Sequence, residues 1–343
     1  MDDSRKLKIA VVAPCWFEIP PKAYGGIEWI CGWLVEGLID RGHDVTLIAA
    51  GENKTRARFV QSYPEAPSGQ LGEPLPEVTH AAAVSELTEG MEFDVFHDHT
   101  LAGPLLAAGR QVPTIVTAHG PVAGEIGRYF RRLSKFVQFV AISDSQREDA
   151  KDLRWAGRVY NGIPVNEYPF ETEKEDYALF LGRMSPEKGA DLAIDAARQA
   201  GLPIVLAGKR TEPLEQAYFQ NAVAPKLGED THWIGQVGPV RKKELLAKAR
   251  CLIFPIRWKE PFGIVMVEAL ACGTPVVALS GGSVPEIVSD GETGFIFDDP
   301  AELGKGMKRA GELDPSACRR RALKLFDIAE MVKGYEDIYR SAI

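Results

Sequence analysis

The sequence contains no long hydrophobic run, no closely spaced cysteine pair and no excess of positive charge. Its 343 residues include no stretch of about 18 consecutive apolar residues, so we expect no transmembrane helix. The five cysteines are widely spaced and none forms a C-x-x-C pair, which predicts free thiols in a reducing cytosol. A formal net charge of -8 excludes nucleic-acid binding through a general positive field. An anionic partner would therefore need a local basic site.

We also expect no secretion signal at the start of the chain, because Met1-Asp2-Asp3-Ser4 is acidic and no apolar stretch of sufficient length follows. The composition itself is ordinary for a globular protein, with 45% hydrophobic and 26% charged residues. A chain of this length predicts roughly two domains. We therefore expect a cytoplasmic protein.

The first fifty residues alternate strand, helix and strand. Lys8–Ala13 and Asp44–Ala50 are short apolar runs rich in β-branched residues, which predicts buried strands. Between them apolar residues recur at helical spacing from Ile27 to Leu38, and Gly42 is expected to end that helix. This β-α-β unit implies parallel strands.

The alternation continues along the chain, with Ser143 and Gln146 as a predicted capping box. Residues 51–77 are rich in polar residues, Pro and Gly, and we interpret them as an irregular excursion. Further strands are predicted at 94–97, 112–118, 136–142, 178–181, 203–207, 232–234, 251–255, 275–279 and 295–297, and a last helix at 328–339.

Two α/β halves follow from this pattern. A turn at residues 161–164 and a charged run at 171–176, interpreted as solvated, separate them. The pattern predicts two doubly wound, Rossmann-like α/β domains, at 1–168 and 169–325, followed by a helix at 326–343.

Ligands of doubly wound sheets bind beyond the carboxyl ends of the strands, so the loops after strands are the candidate sites. Gly25 and Gly26 precede a helix, where paired glycines let a phosphate or sugar approach the backbone. A plain strand-to-helix turn is the alternative. Arg183 and Lys188 follow the first strand of the second half and offer a planar fork and a point charge to phosphate oxygens. Two ordinary surface cations are the alternative there.

A third loop runs from Glu260 to Glu268. Pro261 biases Glu260 away from helical geometry, Gly263 leaves room for close approach, and a buried helix is predicted at Ile264–Cys272. A carboxylate within such a helix, at Glu268, is costly unless it accepts hydrogen bonds. Ribose hydroxyls are suitable donors.

Three histidines also follow strands, at His97, His99 and His119. Together with Asp98 they raise the hypothesis of a metal site. The spacing of two residues at a strand end and the lack of a further matching ligand disfavour it. We interpret His97 as a strand-end histidine whose hydrogen bonds are satisfied.

These segments together resemble the retaining GT-B glycosyltransferases of family 4. Glu260–Glu268 has the E-x7-E spacing of that family. The resemblance covers about residue 8 to about residue 340, and its motifs occur in the family's order: Gly25-Gly26, His119-Gly120, Asn161-Gly162-Ile163-Pro164, Gly182-Arg183 with Lys188, Glu260–Glu268, and Gly281-Gly282 with Pro285-Glu286.

The resemblance implies a GT-B fold whose two domains face each other across a cleft that holds the active site. Arg183 and Lys188 would stabilise the leaving diphosphate, Glu268 would bind the ribose, and Glu260 would hold the sugar. His119 would face the donor sugar once the domains close. The implied catalytic residues are His119, Arg183, Lys188 and Glu260. The implied donor-binding residues are Gly25, Gly26, Arg183, Lys188, Gly235, Val237, Phe262, Gly263, Ile264, Val265 and Glu268.

The implied activity is that of a metal-independent, retaining hexosyltransferase, without a cofactor, that uses a nucleotide-diphosphate sugar, with UDP favoured over GDP. The acceptor is a hydroxyl compound that the sequence does not identify. The last helix would cross back onto the N-terminal domain. A basic cluster around Phe136 would contact an anionic membrane at the inner face, an anionic acceptor or only solvent; its members are Arg128, Arg131, Arg132 and Lys135.

Three other classes of protein are alternatives to this interpretation. A sugar-nucleotide epimerase or hydrolase with the same fold would share the donor site, and it stays open. A Rossmann dehydrogenase is disfavoured because the G-x-G-x-x-G pattern is missing from Val11–Gly26. A non-catalytic binding protein is disfavoured by the intact set of candidate catalytic residues.

Overall fold

A computed structural model describes residues 5–22 and 25–343. The chain forms two compact units, one up to Ile163 together with Ile328–Ile343, and the other at Pro164–Asp327. The sequence-based boundaries lay at 168/169 and 325/326. No helix in the described part of the chain is both long and apolar enough to cross a bilayer.

The first unit is built on a seven-stranded, entirely parallel sheet in the order β3-β2-β1-β4-β5-β6-β7. The order reverses between β1 and β4, which is where doubly wound sheets bind ligands. The strands are β1 Lys8–Val12, β2 Asp44–Ala50, β3 Arg58–Tyr63, β4 Val95–Asp98, β5 Thr114–Ala118, β6 Gln138–Ala141 and β7 Trp155–Arg158; the helices are α1 Gly26–Asp40, α2 Pro74–Leu87, α3 Gly124–Leu133 and α4 Asp144–Glu148.

The second unit has a six-stranded parallel sheet in the order β10-β9-β8-β11-β12-β13, which reverses between β8 and β11. Its strands are β8 Ala178–Leu181, β9 Ile204–Ala207, β10 Thr231–Trp233, β11 Cys251–Phe254, β12 Val276–Leu279 and β13 Gly294–Phe297; its helices are α5 Ala190–Ala200, α6 Pro213–Tyr218, α7 Pro239–Lys248, α8 Ile264–Ala271, α9 Val284–Ile287, α10 Leu303–Arg309 and α11 Pro315–Phe326. The predicted pair of doubly wound Rossmann-like sheets is confirmed.

The prediction of an irregular excursion at residues 51–77 is wrong. The segment contains β3, which pairs with β2, and the beginning of α2. The sequence pattern also did not predict the strand β7. Both lie at the edges of the sheet and most of their residues are only half-buried, so they lack the continuous apolar pattern of the inner strands.

Two predicted helix ends, the end of α1 and the start of α4, are present in the structure, and the second differs from the prediction in one hydrogen bond. Gly42 lies just beyond α1 with φ of 88°, as expected for a left-handed residue that ends a helix. Ser143 accepts a hydrogen bond from the Gln146 amide at 3.1 Å, which is one arm of the predicted capping box. The other arm is absent, because the Gln146 side chain instead accepts from the amide of Ile142.

The charged run at 171–176 is not fully solvated. Lys174 donates to the carbonyl oxygens of Ala247 at 2.7 Å and Cys272 at 3.0 Å, at the carboxyl ends of α7 and α8. Unpaired carbonyls and the negative end of the helix dipole stabilise a cation there. The run therefore belongs to the second unit and does not separate the two.

The last helix, α12 (Ile328–Ala342), belongs to the first unit, where it packs on α1 and β7. Its Tyr335 hydroxyl lies 2.9 Å from the Thr117 hydroxyl, and its Tyr339 hydroxyl lies 2.6 Å from Nδ1 of His97. All five cysteines of the chain are buried and unpaired, as expected.

Candidate functional site

In the second unit, the loops that follow β8 and β11 meet at the point where the strand order reverses. Gly189 has φ of 73° and stands before α5, and a Cβ there would lie 2.2 Å from the Pro255 carbonyl oxygen. Only glycine permits this approach of the two backbones. The approach brings Lys188, at the end of one loop, close to Glu260, in the other.

Lys188 and Glu260 form an ion pair in a largely buried setting. The indole Nε1 of Trp258 donates to Oε2 of Glu260 at 3.1 Å, and the Lys188 ammonium lies 5.2 Å from the Trp258 ring. A buried carboxylate therefore has two donors, as its desolvation requires. The structure brings these two predicted site residues together, and it adds Trp258, which the sequence did not single out.

Arg183, in contrast, contacts other carboxylates. Its guanidinium donates to Glu187 at 2.8 Å and lies 3.7 Å from Glu215, and about a third of its side chain is exposed. Glu215 is buried and also has Lys209 at 3.8 Å. Arg183 and Lys188 thus occupy the same loop, but they have separate partners.

The loop after β11 ends in a helix N-terminus that is free for a ligand. Gly263 has φ of 76° and precedes α8, whose first amides, those of Ile264 and Val265, have no partner within their own helix. Ser283 holds the loop from behind, because its amide donates to Glu260 at 3.0 Å and its hydroxyl to Phe262 at 2.6 Å, both to carbonyl oxygens. A cation, a carboxylate and a helix N-terminus therefore lie within one loop cluster, which suits an anionic ligand with hydroxyl groups.

Glu268 lies in α8 and is only 3% exposed, in agreement with the prediction of a buried helix. Its Oε1 accepts from the Tyr168 hydroxyl at 2.8 Å and from the Lys242 ammonium at 2.5 Å. Protein donors therefore already stabilise this carboxylate, and its burial alone does not require a ribose. No motif pointed to Tyr168, whereas Lys242 follows the Gly235–Gly238 loop by one helical turn.

That loop links the two parts of the site. Gly235 has φ of 80° and its carbonyl accepts from the Gly208 amide at 2.9 Å, which fixes the chain beyond β10. Val237 is half-buried, and Gly238 caps α7, the helix that carries Lys242. A ligand beside this loop would therefore also approach Glu268.

In the first unit, the corresponding reversal lies between β1 and β4. Gly25, with φ of 133°, caps α1, and Gly26 is the first residue of that helix. Glu28, one turn further, is buried, and burial raises the pKa of its carboxyl group to about 7. Tyr24, which directly precedes the Gly25-Gly26 motif, lies outside the described residues.

His119 follows β5, is partly exposed and contacts His99 at the end of β4. His97 is fully buried between the Thr117 hydroxyl, 2.7 Å from Nε2, and the Tyr339 hydroxyl, which confirms that its hydrogen bonds are satisfied. Across residues 5–22 and 25–343, no group of three or more His, Cys, Asp or Glu side chains is arranged to hold a metal ion.

Two family models match the sequence and together span residues 24–322. The model of glycosyltransferase family 4 matches residues 24–167, and that of glycosyl transferases group 1 matches residues 167–322. With its paired Rossmann-like sheets, the chain is a glycosyltransferase of the GT-B fold. It belongs to glycosyltransferase family 4.

Individual relatives are distant and chemically diverse. The α-maltose-1-phosphate synthase of Mycolicibacterium smegmatis is 29% identical, with 72% of this chain and 78% of that protein covered. The phosphatidyl-myo-inositol mannosyltransferase of the same organism is 26% identical, with 89% and 83% covered. The structure of Anabaena HepE in complex with UDP and glucose has a TM-score of 0.77 at 19% identity, with 98% and 100% covered. The last similarity concerns the fold alone.

Proposed function

We propose that this enzyme transfers a hexose from a nucleoside diphosphate sugar to a hydroxyl acceptor, with retention of anomeric configuration and without a metal ion. The observation that carries the proposal is the Lys188–Glu260 pair beside the N-terminus of α8. The cation and the free amides suit a leaving diphosphate, and the carboxylate suits sugar hydroxyls. A positive site of this kind performs the charge stabilisation that other enzymes obtain from a divalent cation.

In the proposed reaction, the bond between the anomeric carbon and the diphosphate oxygen breaks, and the acceptor oxygen bonds to the same face of the sugar. The acceptor's proton passes to the departing diphosphate oxygen. Lys188 and Arg183 would lower the energy of the charge that develops on that oxygen. The retaining course is taken from the family resemblance.

UDP is the proposed nucleotide. The structure of HepE with UDP and glucose supports this choice only through the shared fold. Within this chain, the Gly235–Gly238 loop would border the base and Glu268 the ribose. A thermal-shift panel of UDP, GDP and ADP with their sugars tests the choice, since a ligand that binds only the folded state raises the melting temperature.

A sugar-transfer assay with and without EDTA, using the nucleotide sugar that the panel identifies, tests the metal-free proposal. We expect sugar transfer to a hydroxyl acceptor to persist in EDTA. Strict dependence on a divalent cation would contradict the metal-free proposal. Release of free nucleotide at full rate without any acceptor would instead identify a sugar-nucleotide hydrolase, and interconversion of two nucleotide sugars would identify an epimerase.

The two glutamates of the E-x7-E segment are expected to act on different parts of the donor. Glu268→Gln should weaken binding of UDP itself by about 10-fold or more, because hydrogen bonds to a charged group contribute about 1.5–3 kcal/mol. Glu260→Gln should leave UDP affinity unchanged or higher, because it releases Lys188 from its counter-ion, yet it should impair sugar transfer. Titration calorimetry with UDP measures both.

Tyr168→Phe is the matched control for Glu268. It removes one donor to the carboxylate but keeps the carboxylate itself, so UDP affinity should stay near that of the wild type. Equal losses of UDP affinity in both glutamate variants would mean that the roles are wrongly divided.

The basic cluster of α3 and the residues just after it is proposed to dock an anionic membrane surface. Arg128 and Arg131 have carboxylate neighbours, Glu125 and Asp152. Within the described residues, Arg132 and Lys135 have no ion pair. Exposed apolar side chains adjoin the cluster, since Phe136 is 50% exposed and the Tyr129 hydroxyl donates to the carbonyl of Leu101, itself 50% exposed. Cations beside exposed apolar groups suit the interface of an anionic bilayer.

Flotation with anionic and neutral liposomes tests this surface. The Arg132→Glu/Lys135→Glu variant should bind anionic liposomes at least about 10-fold more weakly, since each cation near such a surface contributes about 1 kcal/mol. Lys305→Glu/Arg309→Glu, on α10, makes the same change in net charge and serves as control. Equal flotation on both lipids, insensitive to salt, would remove the membrane proposal.

A further inference from the structure

His99 forms a hydrogen-bonded pair with His119 at the ligand edge of the first unit. Its Nδ1 lies 2.8 Å from Nε2 of His119, and the two rings are stacked with centroids 5.1 Å apart. His99 is only 4% exposed, whereas His119 keeps part of its surface open. The buried His99 ring therefore contacts the more accessible His119 ring from the protein interior.

Both rings are neutral at physiological pH. Burial lowers the pKa of His119 and, together with the neighbouring His97 and His119 rings, lowers the pKa of His99 well below its usual value. A hydrogen bond between two neutral imidazoles needs one donating and one accepting nitrogen. The pair therefore has two possible arrangements of protons.

The surroundings of Nε2 of His99 distinguish the two arrangements. Its Nε2 is buried and has no hydrogen-bond partner within the described residues. If His119 donated from Nε2, His99 would accept at Nδ1 and carry a proton at Nε2, as a buried N–H without an acceptor. Orphaned buried N–H groups are rarer than orphaned acceptors. His99 therefore carries its proton on Nδ1 and donates it to Nε2 of His119, whose own proton must then be on Nδ1.

A second contact fixes the backbone around the same ring. The side-chain amide of Gln146 donates to the carbonyl oxygens of Ala118 at 2.8 Å and Gly120 at 2.7 Å, on either side of His119. Gln146 is buried, and its own oxygen is held by the amide of Ile142. The position of the turn and the orientation of the ring are thus set by different residues. Among the described residues, nothing bonds to Nδ1 of His119.

We propose that His99 is a positioning residue for the transfer reaction, which holds His119 in the tautomer that directs a neutral Nδ1–H outwards as a donor to an oxygen atom of the bound sugar nucleotide. The inference rests on the proposed function for its catalytic consequence. It assigns His119 the role of a hydrogen-bond donor and not that of a base, because its Nε2 lone pair is already engaged by His99.

Nitrogen NMR of protein labelled with ¹⁵N-histidine reads the tautomer directly, and the chain has only six histidines. In the wild type, we expect His119 to be protonated at Nδ1 and bare at Nε2. His99→Leu should abolish this preference, while His99→Asn should keep it, because the Asn amide can place a donor where Nδ1 stood. In the transfer assay, His99→Leu should lower kcat by about 10-fold or more with UDP affinity unchanged. An effect of this size is typical of residues that orient another functional side chain. His99→Asn should recover most of the loss.

His80→Leu is the matched control, because His80 is also fully buried in the first unit and bonds through Nδ1 to a serine hydroxyl. It should cost stability without changing the His119 tautomer or kcat. A proton on Nε2 of His119 in the wild type would overturn the proposal, as would a His99→Leu protein with unchanged tautomer and kcat. The NMR measurement needs no sugar nucleotide. Failure to find any sugar transfer would therefore refute the proposed function without affecting the test of the His119 tautomer. If His99→Leu does not fold, the wild-type spectrum and His99→Asn still decide.

Discussion

Lys188→Ala is expected to lower kcat/KM for sugar transfer by about 10²-fold or more, on the order of 2.7–4 kcal/mol for the loss of a group that stabilises developing charge. The expectation follows from the place of Lys188 beside the free amides of α8 and from its pairing with Glu260. Removing the ammonium also leaves the buried Glu260 carboxylate without its counter-ion, and this negative charge would repel a diphosphate. Arg183→Ala should have an effect of the same size.

Two comparisons make the Lys188 experiment specific. Lys188→Arg retains the charge and should keep part of the activity. Lys226→Ala removes another ion pair of the second unit, with Asp195, and should change kcat/KM little, since such partly exposed pairs contribute about 0–1 kcal/mol. Unchanged turnover in either the Lys188→Ala or the Arg183→Ala protein, with stability intact in urea unfolding, would refute the assignment of that residue.

His119→Ala is expected to lower kcat by about 10²-fold while the affinity for UDP stays near the wild-type value. A hydrogen-bond donor that acts on the reacting sugar contributes to the transition state more than to binding of the product. The residues proposed to bind UDP also lie in residues 164–327, apart from the Gly25-Gly26 turn, and His119 is not among them. Steady-state kinetics gives kcat, and calorimetry with UDP gives the affinity.

The competing hypothesis for His119 is a purely structural, strand-end histidine. It predicts that His119→Ala loses stability and UDP binding together, as judged by the urea midpoint and by calorimetry. His97→Ala is the reference for the loss of a structural histidine in the first unit, because His97 is fully buried and bonded on both nitrogens. A His119→Ala protein that behaves like His97→Ala would favour the structural hypothesis.

Much of the fold could be predicted because its inner strands are nearly continuous apolar runs, such as β1 and β2, joined by helices of regular period. The edge strands β3 and β7 could not, because a half-exposed strand contains polar residues and has no clear apolar period. In a single sequence, neither strand differs from a loop rich in turn residues.

The candidate site shows the same division. Loops that follow strands could be located, since doubly wound sheets place them at one edge, and Lys188 and Glu260 do meet there. The partners of Glu268 could not be predicted, because Tyr168 lies 100 residues away and the pairing depends on tertiary packing. The role of Gln146 was also misjudged: a local capping motif explained its spacing, whereas its side chain holds the turn around His119.

The route of the chain through its two units has a consequence for synthesis on the ribosome. The second unit, Pro164–Asp327, is one uninterrupted segment inserted into the first, which is completed only by α12. Nascent domains generally fold as units in the order in which they are made. Here the unit that begins first must finish last, because Tyr335 and Tyr339, which fill its interior against Thr117 and His97, are translated after the entire second unit. Until then, the layer beneath His99 and His119 lacks these two tyrosines, so we expect the His119 site to be complete only after α12 has been made.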